Sequence, residues 1–250
     1  MKFLCLAAVY NHKPSCIESL CQSMIDQDHD DDIDVVIIDD RKVGLNAGTL
    51  NIRDKRRIHT IRDSTRAATL LHKYQAGLEF AFTTGRQFDA VFVGDDDDAY
   101  LLDHVSQHAK VLENHYWSHP SHVFTYYANQ FRVEDTGGRF WASCAYRMSA
   151  LLESGEYIHK PRDLAEASYD QRFLGDMRAK YGDAGMQASP TYIYGWSIGG
   201  ENHVSCHIEN GVYDFTQVPE VSATRPLFPH YSEETNILME MAKVFRGAAK

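Results

Sequence analysis

Short apolar runs alternate with amphipathic segments along the first part of the chain. Residues 3–10, 35–38 and 90–93 are runs of apolar, β-branched and aromatic side chains with the length of buried strands. Between these runs, residues 14–25 and 71–82 carry apolar side chains at the spacing of one helical face. This order predicts βαβ units, in which the strands are parallel and the helices cover the sheet.

The pattern is less regular in the second half. A third helix is expected around residues 102–112, a strand at Val123–Tyr127 and a hairpin turn at residues 135–138. Further helices are expected at Tyr169–Tyr181 and Ser232–Phe245, where apolar side chains again recur at helical spacing. We find no repeat, low-complexity tract or linker, so the pattern predicts one α/β domain.

Composition narrows the class of protein. With 250 residues, 44% of them hydrophobic, the chain can bury the core of one globular domain. No apolar stretch reaches the roughly 18 residues of a membrane span, and the run 3–10 is interpreted as a strand rather than a signal peptide. The five cysteines are scattered without a Cys-x-x-Cys pair, which is typical of a reducing cytoplasm. The net charge of −10 counts against broad electrostatic binding to nucleic acid.

Four adjacent aspartates, Asp95–Asp98, follow the third buried strand directly after Gly94, and we call them the acidic tetrad. Adjacent carboxylates repel one another, and a hard divalent cation such as magnesium or manganese offsets that repulsion. Such an ion also binds the phosphates of a substrate. Open α/β sheets bind ligands at the carboxyl ends of their strands, so the position of the tetrad predicts a metal and phosphate site.

Polar residues follow the other two strands as well. The first strand ends at Tyr10 and Asn11, and the second ends at Asp39 and Asp40. These side chains are expected beside the tetrad, where a ring could stack on a nucleotide base and a carboxylate could hydrogen-bond the base or ribose. A second acidic run, residues 28–34, precedes its strand and is interpreted as a solvated loop at the opposite edge.

Several segments resemble motifs of a known enzyme family. Residues 8–12 read Ala-Val-Tyr-Asn-His, residues 35–40 read Val-Val-Ile-Ile-Asp-Asp, and residues 91–100 read Val-Phe-Val-Gly-Asp-Asp-Asp-Asp-Ala-Tyr. In order and spacing these segments resemble the nucleotide-sugar glycosyltransferases of the GT-A fold, in particular glycosyltransferase family two. The helix before the tetrad, residues 65–82, is similar as well.

The resemblance implies a fold, a domain division and an activity. The fold is a GT-A-like, Rossmann-like and mostly parallel sheet flanked by helices. The single domain, residues 1–250, would comprise a nucleotide-sugar-binding half, 1–115, and a more irregular acceptor-side half with the C-terminal helix, 116–250. The implied activity is a metal-dependent transfer of a sugar, with inversion, from a nucleoside-diphosphate sugar to a hydroxyl acceptor. A UDP-sugar is the expected donor, and GDP- and TDP-sugars stay open.

The resemblance also implies roles for the tetrad. In the Asp-x-Asp motif of the family, Asp97 would bind Mn²⁺ or Mg²⁺, and Asp95 would bind the ribose or the waters of the metal. Asp96 would then contact the donor. Asp96 and Asp98 form an equally spaced pair, so the frame of the motif stays open, and Asp98 is also a candidate contact of the sugar. His203 is a further candidate metal ligand.

Basic residues near the donor are implied in the same way. Arg66 and Lys73 match positions that often lie close to the donor diphosphate, although a solvated helix face is an equally common role for such side chains. Asp39 or Asp40 would hydrogen-bond the uracil or the ribose.

On the acceptor side, Asp170 matches the second residue of a Glu-Asp pair that supplies the catalytic base in the family. The preceding Tyr169 departs from that pair, and Glu166 is a competing candidate. An inverting transfer needs one carboxylate to take the proton of the acceptor hydroxyl. Trp141 and Trp196 are candidate platforms on which a sugar could stack, although tryptophan more commonly packs in a core.

The acceptor itself stays open. Basic residues between positions 53 and 66 would suit an acidic acceptor such as a modified base in DNA, although such a run is more often a solvated face. A glycan, a lipid-linked sugar and a protein stay open as acceptors as well. Two other functions remain: a domain that binds a nucleotide sugar or glycan without turnover, and an α/β serine hydrolase that uses Ser197 of the Gly-x-Ser-x-Gly segment 195–199.

Overall fold

The structure is a computed structural model, and it describes residues 1–9, 14–29, 31, 33–39, 45–62, 70–95, 98–127, 130–136, 141–154, 169–183, 186–187 and 190–194.

The strands of the described residues are β1 (Phe3–Val9), β2 (Ile33–Asp39), β3 (Ile58–Arg62), β4 (Ala90–Gly94), β5 (Ala99–Tyr100), β6 (Trp117–Pro120), β7 (His122–Tyr127), β8 (Gln130–Asp135), β9 (Ala145–Arg147), β10 (Met186–Gln187) and β11 (Tyr192–Tyr194). The helices are α1 (Pro14–Ile25), α2 (Leu70–Thr83), α3 (His104–Leu112), α4 (Met148–Ser154) and α5 (Tyr169–Tyr181). No helix among the described residues is long and apolar enough to cross a bilayer.

A mostly parallel central sheet organises the described part of the chain. Its strand order is β10-β6-β9-β4-β1-β2-β3, and β9 runs antiparallel to both of its neighbours. The four strands β4, β1, β2 and β3 are parallel to one another. A smaller sheet has the order β5-β11-β7-β8. The mostly parallel α/β sheet that the sequence predicts is therefore confirmed.

The two faces of the central sheet are covered by different helices. On β1, Phe3 and Cys5 belong to one core cluster, together with apolar residues of α1 and α3. Leu4 and Leu6 belong to the other cluster, together with apolar residues of α2 and α5. Side chains of a strand alternate between faces, so a strand covered on both sides must be apolar along its whole length. This requirement explains the continuous apolar runs in the sequence.

The sequence predicts a hairpin between Phe131 and Trp141 with its turn at residues 135–138. Its second arm is not a strand where the structure describes it, because Trp141–Ser143 form a 3-10 turn, and residues 137–140 lie outside the described residues. Strands β7 and β8 pair from His122 with Asp135 to Tyr127 with Gln130, so the connection between them is residues 128–129. Asp135 is the last residue of β8.

The sequence predicts a solvated loop for the acidic run 28–34. This prediction is wrong for the last residue of the run, Asp34. Strand β2 begins at Ile33, and Asp34 within it is only 5% exposed. Its carboxylate forms an ion pair with Arg86, which satisfies the buried charge.

Gly94 permits a close approach that a larger residue would prevent. A Cβ at this last residue of β4 would lie 2.8 Å from Cys5 Sγ and 3.1 Å from Leu20 Cδ1. We expect Gly94→Ala to lower the free energy of unfolding by about 1–3 kcal/mol in urea denaturation, because well-packed neighbours must shift. Gly175→Ala in α5 is the control: its Cβ would meet no described atom within 4 Å, so stability should stay equal or rise by about 0.5–1 kcal/mol. Equal stability of Gly94→Ala and the wild type would contradict the close packing.

Candidate functional site

The register of the strands brings three strand ends together. Val9 of β1 lies beside Asp39 of β2, and Ala7 of β1 lies beside Gly94 of β4. Neighbouring strands are about 4.8 Å apart, so the end of β4 lies roughly 10 Å across the sheet from the end of β2. The residues that follow these strands therefore start from one edge, as the sequence predicts.

Hydrogen bonds fix the first and last residues of the acidic tetrad. The Asp98 N–H donates to the Asp95 carbonyl at 3.4 Å, and the Asp95 N–H donates to the Tyr100 hydroxyl at 2.8 Å. This turn connects β4 of the central sheet to β5 of the smaller sheet. Asp95 is partly buried, whereas Asp98 is only 2% exposed. The tetrad thus lies at the junction of the two sheets.

A buried tyrosine from the smaller sheet binds the end of the tetrad. The hydroxyl of Tyr192 in β11 donates a hydrogen bond to Asp98 Oδ2. Burial raises the pKa of Tyr192 well above its ordinary value, so the hydroxyl retains the proton that it donates. The rings of Tyr192 and Tyr100 pack with their centroids 5.3 Å apart. A pair of packed tyrosines therefore holds both ends of the turn.

Two buried histidines lie behind the tyrosine pair. The His104 ring packs edge-on against Tyr100 at 5.0 Å, and its Nδ1 lies 2.9 Å from Thr191 Oγ1. His108, one helical turn later, packs 4.5 Å from His104, and its Nδ1 lies 2.9 Å from Ser118 Oγ. Burial lowers the pKa of His104 to about 3, so this ring is neutral at pH 7. The sequence analysis does not predict that these histidines pack behind the tyrosines. The available signal is two histidines four residues apart on the apolar face of a helix.

Asp39 lies at the predicted edge, and its carboxylate already accepts a hydrogen bond. It is the last residue of β2, it is 1% exposed, and its Oδ2 accepts a hydrogen bond from the Leu45 N–H. Arg62, the last residue of β3, lies beside Asp39 in register and is exposed. The structure therefore places a cation, Arg62, at this edge. The sequence analysis includes Arg62 only in the basic stretch between positions 53 and 66.

Lys73 lies in the first turn of α2 and is buried. Helix α2 follows β3 along the chain, so it begins near the carboxyl edge of the sheet. A lysine is rarely buried unless it is paired, so the burial of Lys73 argues against the interpretation of this position as a solvated helix face.

Trp141 is part of the aromatic core. It is 7% exposed, and its ring packs edge-on against Phe173 of α5 with centroids 4.8 Å apart. The rings of Tyr146 and Tyr74 lie at 5.7 Å and 6.5 Å. In this position the indole leaves little of its surface open for stacking on a sugar.

The packing of two tryptophans orients α5. The turn Trp141–Ser143 precedes the antiparallel strand β9 and so lies near the carboxyl end of β4. Phe173 contacts Trp141 there, whereas the Gly182 carbonyl after α5 accepts a hydrogen bond from Trp117 Nε1 at the amino end of β6. Helix α5 therefore begins at the edge that bears the tetrad and runs antiparallel to β4. Its bounds agree with the predicted helix, and Gly182 has the positive φ of 78° that suits a helix end.

Asp170 lies in the first turn of α5, three residues before Phe173. Its carboxylate is partly buried, and Oδ2 accepts a hydrogen bond from Gln171 Nε2 at 2.9 Å. The orientation of α5 thus brings Asp170 toward the edge that bears the acidic tetrad.

The other predicted site residues lie outside the described residues: Tyr10, Asn11, Asp40, Arg66, Asp96, Asp97, Glu166, Trp196 and His203. Ser197 and the predicted helix Ser232–Phe245 lie outside them as well. Their roles stay predictions.

The two described aspartates of the tetrad offer the kind of ligand that a hard divalent cation prefers. Asp95 and Asp98 supply carboxylate oxygens, which magnesium and manganese prefer. The described residues contain no group of three or more His, Cys, Asp or Glu side chains that could hold a metal ion.

Comparisons with known proteins identify the fold. No protein-family model and no curated protein matches the sequence. Among solved structures, S. aureus TarS 1–349 in complex with UDP-GlcNAc matches with a TM-score of 0.58 and 18% identity, covering 77% of this chain and 58% of that one. TarS 1–349 in complex with UDP matches with a TM-score of 0.57 and 16% identity, covering 77% and 60%. The fold is that of the GT-A glycosyltransferases.

The resemblance that the motifs imply is thereby confirmed at the level of the fold. This chain spans about three-fifths of the length of TarS 1–349, with coverages of 58% and 60%.

The hydrogen bond between Tyr192 and Asp98 can be tested against a matched bond at the surface. Tyr192→Phe leaves a buried carboxylate without its donor, so we expect the free energy of unfolding to fall by about 1–3 kcal/mol in urea denaturation. Tyr181→Phe removes an exposed hydrogen bond to Glu153 and should cost less than about 0.5 kcal/mol. Equal effects of the two substitutions would contradict a structural role for the buried bond.

Proposed function

We propose that the protein is a metal-dependent glycosyltransferase that moves a sugar from a UDP-sugar to a hydroxyl group with inversion at the anomeric carbon. The observation that carries this proposal is the acidic tetrad at the carboxyl end of β4, beside the end of β2 in a GT-A sheet. The structural neighbours that hold UDP-GlcNAc and UDP support a UDP-sugar as the donor.

The donor nucleotide would lie along the three strand ends. Tyr10 and Asn11 would contact the base, and Asp39 or Asp40 would hydrogen-bond the uracil or the ribose. The span of roughly 10 Å between the ends of β2 and β4 supports this division, because one end then serves the nucleoside and the other serves the diphosphate. Arg66 and Lys73 would contact the diphosphate.

The Asp-x-Asp frame that we propose is Asp95 with Asp97. The buried Asp98 carboxylate is bound to Tyr192, which favours a structural role for Asp98 over the alternative frame Asp96 with Asp98. Asp97 and Asp95 would hold Mn²⁺ or Mg²⁺, with His203 as a further candidate ligand. When bound, such an ion acts as a Lewis acid that neutralises charge on the leaving UDP.

Asp170 is our proposed catalytic base. It lies in the first turn of α5 at the edge that bears the tetrad, where the partial positive charge of a helix N-terminus favours an ionised carboxylate. In this state its oxygens accept the proton of the acceptor hydroxyl as that oxygen attacks the anomeric carbon. Glu166 competes for this role, and Trp196 is the remaining candidate for stacking on a sugar.

The acceptor would be a hydroxyl of a glycan or of a modified base in DNA, bound by the half of the domain that follows residue 115. We place the reaction in the cytoplasm. The described cysteines Cys5, Cys16, Cys21 and Cys144 support a reducing compartment, since they are buried thiols.

The donor site is tested by calorimetric titration of UDP with and without Mn²⁺. We expect Mn²⁺-dependent binding that Asp97→Asn weakens by about 10–100-fold, because a charged ligand of the ion is lost. Asp28→Asn is the control, since Asp28 is exposed and precedes β2 at the opposite edge. Binding that survives chelation of the metal would contradict the metal assignment, and absence of UDP binding would contradict the donor assignment.

The catalytic base is tested by comparing UDP binding with sugar transfer in Asp170→Asn and Glu166→Gln. The correct substitution should preserve UDP affinity and lower the rate of UDP release from a UDP-sugar by about 10²–10⁴-fold, the usual contribution of a general base. The measurement uses a panel of acceptors that includes glycans and hydroxymethylated DNA, with water alone as the baseline. Tight UDP-sugar binding without release in any wild-type reaction would instead favour a binding domain without turnover.

A further inference from the structure

A basic cleft lies at the amino ends of the parallel strands, at the edge opposite the acidic tetrad. Its volume is about 600 Å³, and its lining includes Lys2, Asp34, Arg56, Arg57, Arg86 and Phe88. Lys2 precedes β1, Asp34 lies at the start of β2, Arg57 precedes β3, and Phe88 precedes β4. The cleft therefore spans the starts of four neighbouring strands, and its volume is within the 300–1,000 Å³ of typical ligand pockets.

The charge of this cleft is opposite to that of the whole chain. Four cations and one carboxylate line it, whereas the chain has a net charge of −10. Arg56 forms an ion pair with Asp54 outside the lining, which reduces its contribution. A positive cleft of this kind attracts anionic ligands even though the protein as a whole is acidic.

The guanidinium of Arg86 is positioned by an ion pair, and some of its N–H groups remain available as hydrogen-bond donors. Its Nη1 forms an ion pair with the buried Asp34 carboxylate and lies 3.3 Å from His59 Nε2. A guanidinium has five N–H donors, so this pairing leaves others for a ligand, and the side chain is 46% exposed. Burial lowers the pKa of His59, so that ring is neutral at pH 7 and adds no charge.

The backbones that carry Lys2 and Arg57 are fixed by hydrogen bonds. The Lys2 N–H donates to Asp89 Oδ2 at 2.8 Å, and its carbonyl accepts from the Asp89 N–H at 2.9 Å. The Arg57 carbonyl accepts from the Val35 N–H at 2.9 Å. These hydrogen bonds fix the positions from which the two cationic side chains leave the backbone.

We propose that the basic cleft is a second ligand site, which binds phosphate groups. Guanidinium groups match the geometry of phosphate oxygens, and Phe88, half-buried against the core, adds an aromatic side chain to the lining. Asp34 and Asp39 are five residues apart along β2, or roughly 16 Å, so the cleft and the proposed donor site do not overlap. The phosphate belongs either to a small molecule or to the backbone of a single-stranded nucleic acid.

Two probes distinguish these sources, and each is titrated first alone and then with UDP in excess. Mn²⁺ is left out because pyrophosphate itself binds that ion. Inorganic pyrophosphate is titrated by calorimetry, and a labelled single-stranded DNA of about 12 nucleotides is titrated by fluorescence anisotropy. The test variant is Lys2→Gln with Arg57→Gln, which spares the ion pair of Arg86. The matched control is Lys55→Gln on the same loop, whose ammonium binds the Gly48 carbonyl.

The wild type is expected to bind at least one probe at about 50 mM salt, and the double variant is expected to bind it at least tenfold more weakly. Pyrophosphate binding alone identifies a small phosphate ligand. Binding of DNA, with a salt slope that the double variant reduces by about 1.4, identifies a strand. A second variant, Gln87→Glu, places a negative charge in the lining at an exposed position and should weaken binding as well.

Three results would overturn the proposal: no binding of either probe to the wild type, unchanged binding by both test variants, or displacement of the probe by UDP. None of these results depends on sugar transfer, so the cleft and the proposed enzymatic function can fail separately.

Discussion

The two-sided burial of strands β1, β2 and β4 is the constraint on which the rest of the structure depends. Both faces of these strands are covered by helices, so their interior positions cannot carry exposed charge. Polar chemistry is therefore confined to the strand ends. At the carboxyl edge this places the acidic tetrad beside Asp39, and at the amino edge it places Lys2 and Arg57 around one cleft. The same sheet thus has the acidic tetrad at one edge and a basic cleft at the other.

The acidic tetrad is also the connection between the two sheets. Its turn leaves β4 and enters β5, and the packed pair Tyr100 and Tyr192 binds both of its ends. Because the tyrosines are buried among His104 and its neighbours, the arrangement of the tetrad depends on the core of the smaller sheet as much as on β4.

Much of the fold could be predicted because parallel strands leave a direct signature in the sequence. The apolar runs that became β1, β2 and β4 and the helical spacing of Phe173 and Met177 each report local geometry. The position of the hairpin at residues 128–129 could not be predicted in this way, since it depends on which residues of β7 and β8 pair. The pairing of Asp34 with Arg86 and of Asp98 with Tyr192 joins residues 52 and 94 positions apart, a separation at which local patterns carry no information.

The central claim is that the acidic tetrad holds a metal ion beside a UDP-sugar. Its most direct test is a crystal structure of the protein with UDP and Mn²⁺, in which the anomalous signal of manganese marks the ion. The account predicts a manganese peak bound by Asp97 beside Asp95, with the uracil near the end of β2. A manganese ion elsewhere, or UDP bound away from the carboxyl ends of β1, β2 and β4, would contradict it.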